Sequence, residues 1–392
     1  MGVLMRIASP FTSSFCFPVL ISPRKHSMKV FVWFLIRFAS LLASSLLLLF
    51  LIPSCHKNEP CTTCPPSGPD TTSHSFNFTQ FTFGGNAGSS YFNDVAIIND
   101  SLAYAVGAVY LTDSLGNPDP NAYNLAEWNG YNWQLLRIEF LTFCGQSGTT
   151  SAPAEAIWCF NDSDVWIASS NSQITTWNGK SQGAIMCLPV SVSKMWAVNK
   201  NALYTVGPLG QIGFYDGATW TKIESGTTLD IRGLWGVVDP MTGEPSLVAV
   251  ASNGAMIPQG KKLLSVQGLT VSAVSDSGLA YSISGTWFLP GQYYVVGDGL
   301  FTTAALGQVW REDSTQPLLY KNAIRGNAAN DIVVAGSYGL LSHYNGSSWK
   351  QYTGADIPSF NGEYTAVDMK GHMLVAAGWM DQKAVVLVGL RK

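Results

Sequence analysis

Lys194-Met-Trp-Ala197, Leu203-Tyr-Thr-Val-Gly207, Gln211-Ile-Gly-Phe-Tyr215, Asp216-Gly217 and Trp220-Thr-Lys-Ile223 form the stretch that decides the fold. Four short runs of β-branched, aromatic and small residues follow one another closely, and Asp-Gly separates the last two. Such runs, bounded by turn residues, read as strands. Two of them joined by Asp-Gly read as a hairpin with a primed turn, whose central residues both need positive φ. The segment therefore reads as a four-stranded antiparallel meander, with strands a, b, c and d in chain order.

The second strand recurs along the chain. Ala103-Tyr-Ala-Val-Gly107, Val165-Trp-Ile-Ala-Ser169, Leu203 to Gly207, Val248-Ala-Val-Ala-Ser252, Tyr293-Tyr-Val-Val-Gly297, Ile332-Val-Val-Ala-Gly336 and Leu374-Val-Ala-Ala-Gly378 make seven copies. Their last residues are 62, 38, 45, 45, 39 and 42 positions apart. A period of about 40 to 45 residues is that of a four-stranded propeller blade. Asn129-Gly130, Asn178-Gly179 and Asn345-Gly346 stand where Asp216-Gly217 stands in its unit. One meander cannot cover both its faces, whereas seven packed around an axis can. The expected fold is all-β, a seven-bladed propeller of four-stranded antiparallel blades.

The ends of the chain suggest how the ring closes. The last unit stops after Ala384-Val-Val-Leu-Val-Gly389, with no d strand, while Phe76-Asn-Phe-Thr-Gln-Phe-Thr-Phe83 alternates apolar and polar residues ahead of the first unit. Pairing this orphan strand onto the last blade would remove an exposed sheet edge.

Residues 1–75 read as an address and a tether. Lys29 and Arg37 precede an apolar run from Phe38 to Ile52, followed by Pro53-Ser54-Cys55, the arrangement of a secretory signal peptide. Ile52-Pro53-Ser54-Cys55 resembles the bacterial lipobox, in which cleavage precedes a cysteine that receives lipid. Met28-Lys29 would itself begin such a signal, so residues 1–54 are expected to be leader and Cys55 the lipid attachment site. An uncleaved span from Val30 to Ile52 is the alternative, but Arg37 falls inside it. Residues 55–75, rich in Pro, Ser and Thr, read as a flexible stalk. The expected protein is exported and lipid-anchored in the bacterial envelope, in the outer rather than the inner membrane, and monomeric. Cys61, Cys64, Cys144, Cys159 and Cys187 leave an odd number for pairing, and their connectivity stays open.

Composition narrows function. Of 392 residues 12% are charged, and beyond residue 54 the 25 acidic residues face only 17 basic ones, a net −8 that repels nucleic acid. Only His343 and His372 lie beyond residue 75, so neither a metal centre nor a Ser-His-Asp arrangement is expected. Phosphate loops need a strand leading into a helix, and no helical period occurs, so no cofactor is expected.

Tyr215-Asp216-Gly217-Ala-Thr-Trp220 and its echo Tyr344-Asn345-Gly346-Ser-Ser-Trp349 resemble the repeats of secreted bacterial β-propeller lipoproteins. They are distantly similar to Asp-box (BNR) propellers, the group that holds sialidases and a photosystem II assembly factor. In the Asp box the glycine stands two positions after the aspartate, whereas Gly217 follows Asp216 directly. The resemblance implies a propeller and raises a sialidase-like glycan hydrolase as the alternative function. Such an enzyme would need several arginines converging with acids at the channel mouth, and Arg137, Arg232, Arg311 and Arg325 are the candidates. Asp162, Asp164, Glu312 and Asp313 sit at turns, where carboxylates are usually solvated.

Strand direction alternates in a meander, so b-to-c and d-to-a connections share one face of the ring. The long connections, Ala108 to Asn124, Glu139 to Pro153 and Gly354 to Gly362, all belong to it. Loops on a rigid scaffold carry recognition. The expected function is a non-enzymatic interaction module that binds a protein or glycan partner there, with Tyr110, Tyr123, Phe143 and Phe360 as candidate anchors.

Overall fold

The computed structural model describes residues 70–253, 260–280 and 282–392. The leader, Cys55, Cys61, Cys64 and most of the stalk lie outside the described residues. Seven four-stranded antiparallel sheets form a propeller. Their innermost a strands are Tyr91–Asn99, Ala154–Asn161, Lys194–Asn199, Ile231–Val238, Ile283–Leu289, Lys321–Ala328 and Glu363–Lys370. The b strands follow as Leu102–Val109, Asp164–Ser169, Ala202–Val206, Pro245–Ser252, Gln292–Gly297, Asp331–Gly336 and Met373–Met380. One 3-10 turn, Pro208–Gly210, is the only helical segment among the described residues.

The orphan strand closes the ring as its pattern predicts. Phe76–Gly84 pairs with Lys383–Arg391, from Phe76 opposite Arg391 to Gly84 opposite Lys383, and completes blade seven. The long first interval of the repeat is accounted for by two insertions between Gly107 and Ser169. One is the loop after Val109 and the other the segment after Leu136, which carries a small hairpin of Phe140–Leu141 with Thr149–Thr150.

There is no central core. The buried apolar side chains of the described residues fall into seven clusters, one between each pair of neighbouring blades. Each blade is therefore stabilised from both sides, the physical content of the repeat. The glycine at or near the end of most b strands is a packing requirement. A Cβ on Gly378 would lie 1.8 Å from the carbonyl oxygen of Glu363, and one on Gly107 would lie 2.1 Å from that of Tyr91.

The c-to-d turns differ from expectation. Gly217 and Gly346 have φ of 96°, but Asp216 and Asn345 do not share the positive φ that a primed two-residue turn demands. Tyr215 pairs directly with Trp220, and Tyr344 with Trp349, so each loop holds four residues. Asp216 Oδ1 accepts the amides of Ala218 and Thr219, both at 2.8 Å, and Asn345 Oδ1 accepts those of Ser347 and Ser348 at 3.0 and 2.9 Å. The side-chain oxygen organises the turn in place of a second left-handed residue.

Candidate functional site

The long-loop face is held most firmly where blades one and two meet. Asn124 is fully buried, and its amide bridges the two ends of the inserted segment: Nδ2 donates to Ile138 O at 2.8 Å and to Ala152 O at 2.7 Å, while Oδ1 accepts the Ile138 amide at 2.8 Å. Gln182 grips Glu139 from both sides, accepting its amide at 2.9 Å and donating to its carbonyl at 2.6 Å. Gln173 does the same for Leu141, at 2.7 and 2.8 Å. A disulfide between Cys144 and Cys187 ties the tip of the segment to the outermost strand of blade two. Sequence reading missed all three amide side chains, because a lone Asn or Gln carries no signal until its partners are adjacent.

These restraints present Phe143 to solvent with 64% of its surface exposed, next to the disulfide. Tyr123 is half-buried beneath the guanidinium of Arg137, whose carbon lies 4.0 Å above the ring. Arg137 also pairs with Asp119 and donates to Asn121 O at 3.0 Å. The Asn121 amide and the Arg137 guanidinium both lower the pKa of Asp119. Tyr110 is half-buried, its amide donating to Ser90 Oγ at 3.0 Å. Phe360 corrects its expectation. It stacks on Tyr364 at 4.3 Å with only 9% of its surface exposed and belongs to the core between blades six and seven, since Gly339 and Gly362 leave room for the ring there.

The axis of the ring is a polar channel. On the long-loop face it widens to a cavity of about 290 Å³ between Asn93, Glu155, Lys194, Asp230, Arg232 and Asn322. Arg232 and Arg325 both line the channel, but from different levels of their strands: Arg232 stands at the bulge opposite Ala251 and Val250, where blade six has Asn322, and Arg325 lies further along, opposite Val333. The other two candidates do not join them. Arg137 is held in the blade-one loop and Arg311 lies on the outermost strand of blade five. The three-arginine convergence that a sialidase-like site requires is therefore not formed.

The channel charges are engaged in holding blades together. Lys194 Nζ bonds Asp94 Oδ1 at 2.7 Å, and Asp94 Oδ2 accepts the Ile157 amide of the next blade at 3.3 Å. Asp368 likewise accepts the Ile97 amide across the seam at 2.8 Å, while burial pushes its pKa up. Arg325 lies 4.8 Å above the Trp235 ring and donates to Ile324 O at 2.8 Å. Glu155 takes Nδ2–H of Asn93 at 3.1 Å, and burial raises its pKa. Cys159, the one free cysteine among the described residues, borders the channel, and burial drives its thiol pKa well above the ordinary value. Two turn carboxylates are not simply solvated as expected: Asp164 and Asp313 each accept an indole N–H at 2.9 Å, from Trp166 and Trp349.

The architecture is shared with known propellers. YCF48 bound to a D1 peptide superposes with a TM-score of 0.57 at 12% identity, covering 83% of this chain and 98% of that one. YCF48 from Cyanidioschyzon merolae gives 0.54 at 13%, covering 80% and 98%. The WD40 repeats of RRP9 give 0.53 at 10%, covering 80% and 97%. The likeness is one of fold. No protein-family model matches the sequence, and no curated protein is similar to it.

Proposed function

We propose that this chain is a lipid-anchored envelope protein whose propeller is a non-enzymatic interaction module, docking a protein partner on the long-loop face beside blades one and two. The observation that carries the reading is the restraint of the Glu139–Pro153 segment by Asn124, Gln173, Gln182 and the Cys144–Cys187 disulfide. A loop fixed by that many bonds has already lost the conformational entropy that docking would otherwise remove, so its exposed aromatic can contribute to binding in full. YCF48 holding its D1 peptide shows that a propeller of this fold can recognise a polypeptide. The disulfide supports export to an oxidising compartment, in line with the signal and lipobox pattern that ends at Cys55.

The test is crosslinking and pull-down of the intact protein from its own envelope, comparing wild type with a chain lacking Ser114 to Pro120 and with Phe143→Asp. Loss of the same captured protein in both variants is the expected result, and capture unchanged in both would refute the docking face. Mass analysis of wild type and Cys55→Ala addresses the anchor, since identical unlipidated products would refute lipidation.

A further inference from the structure

A cavity of about 770 Å³ opens at the rim between blades five and six, on the side where the c-to-d turns emerge and away from the long-loop face. The apolar cluster between these two blades is the smallest of the seven among the described residues. Comparison with the cleft between blades two and three shows why it stays open. There Trp166 packs against Tyr215 at 5.6 Å, and Tyr215 stacks on Trp220 at 5.0 Å. The corresponding positions hold Tyr294, Tyr344 and Trp349, and the smaller Tyr294 lies on the floor of the cavity.

Trp349 is fixed by a bond that its counterpart Trp220 lacks, whereas Tyr344 is held as Tyr215 is, each hydroxyl donating to the glycine carbonyl of its turn. Trp349 Nε1 donates to Asp313 Oδ2 at 2.9 Å, whereas the Trp220 Nε1 is buried without a partner. Asp313 is anchored in turn by the amide and hydroxyl of Thr315, at 3.0 and 2.6 Å. Tyr344 donates its hydroxyl to Gly346 O at 2.9 Å and sits 5.1 Å from the Trp349 ring. Around these rings the wall is polar. Arg311 is exposed on a two-residue strand, and among the described residues no group engages its guanidinium; Gln308 stands beside it in the exposed c-to-d loop.

The geometry points to a carbohydrate-binding site in this cleft, with a pyranose ring of a glycan lying on Trp349 and Tyr344 and its hydroxyls taking hydrogen bonds from Arg311 and Gln308. Amphipathic rings offer an apolar face to the C–H side of a sugar while their surroundings stay wet. A peptide would need apolar pockets for its side chains, whereas here Tyr294, Tyr344 and Trp349 stand among Gln292, Gln308, Arg311 and Asp313, with Ala304 and Val309 the aliphatic side chains of the lining. Arg311 adds planar, paired donors suited to vicinal hydroxyls or a uronic carboxylate. This site is independent of the long-loop face, and either can fail without the other.

The test is a printed array of defined neutral, N-acetylated and uronic-acid oligosaccharides probed with the intact chain in detergent, followed by titration of the best binder under tryptophan fluorescence. Saturable binding in the range of about 10 μM to 1 mM is expected. Arg311→Gln, on an exposed side chain, should weaken it about tenfold, and Trp349→Ala should abolish it, while Phe143→Asp leaves it unchanged. If Trp349→Ala does not fold, Arg311→Gln decides. Absence of any binder on the array, binding indifferent to Arg311→Gln, or a proline-rich peptide that occupies the cleft and no sugar displaces would each overturn the proposal.

Discussion

The Nδ1 atoms of His74 and His343 lie 2.8 Å apart, on opposite sides of the closure of the ring. His343 is fully buried, with Nε2 2.8 Å from Asp331 Oδ1. Arg391 completes the network by donating to both oxygens of Asp331 and lying 4.9 Å over Phe76. The segment ahead of the closing strand is thus tied to blade six, aided by Thr72 Oγ1 donating to Asn330 O at 2.7 Å and the Tyr352 hydroxyl donating to His74 O at 2.9 Å.

This arrangement makes the closure sensitive to acid. Burial, His343, Lys350 and Arg391 hold the His74 pKa down at about 4, against 6.5 for an unperturbed imidazole. The unfolded chain therefore binds a proton that the native one refuses between those values, and stability must fall as pH is lowered through that window. Melting curves from pH 7 to 4 should show a steeper decline for wild type than for His74→Gln. Parallel declines for the two proteins would show that His74 is not the titrating group. The Asp331 pKa is lowered as well: burial raises it, but bonds from His343, Arg391 and Asn327 outweigh that and hold it at about 2, so it stays ionised throughout the window.

The repeated glycine supplies a second test. Gly378→Ala would place a methyl 1.8 Å from the Glu363 carbonyl oxygen, against backbone that cannot yield cheaply. A loss of about 3 kcal/mol or more is expected in chemical denaturation. Gly354→Ala is the control, because nothing lies within 4 Å of its Cβ position, and it should remain within about 0.5 kcal/mol of wild type.

The Cys144–Cys187 disulfide closes a segment of 43 residues. Its removal by the double serine variant should cost about 2–4 kcal/mol in denaturant unfolding. It should also expose the Glu139–Pro153 segment to limited proteolysis while the blades remain resistant. Equal proteolysis of both proteins would show that Asn124, Gln173 and Gln182 alone fix the loop.

Much of the architecture is legible because strands are local. Seven b strands, the fourth strand borrowed from the N-terminus, and the face shared by the long loops all follow from alternation, spacing and strand direction. The turn chemistry is less so. Asn-Gly and Asp-Gly mark the place of a turn correctly, yet four-residue loops result, because Asp216 or Asn345 can meet two amides through its side chain without leaving ordinary φ.

For sites, sequence position proved a partial guide. Arg232 and Arg325 both lie on inner strands and reach the channel, yet from different levels of the repeat, whereas Phe360 is indistinguishable from an exposed loop aromatic until Tyr364 is seen beneath it. The chain by itself determined the number of blades and their closure, since these depend on hydrogen-bonding runs a few residues long. Only the tertiary structure decided which cysteines pair, that His74 meets His343, and that one inter-blade cleft stays open. Those outcomes rest on contacts between residues 43 to 269 positions apart, where the fit of neighbouring blades, and not any local propensity, sets the distance.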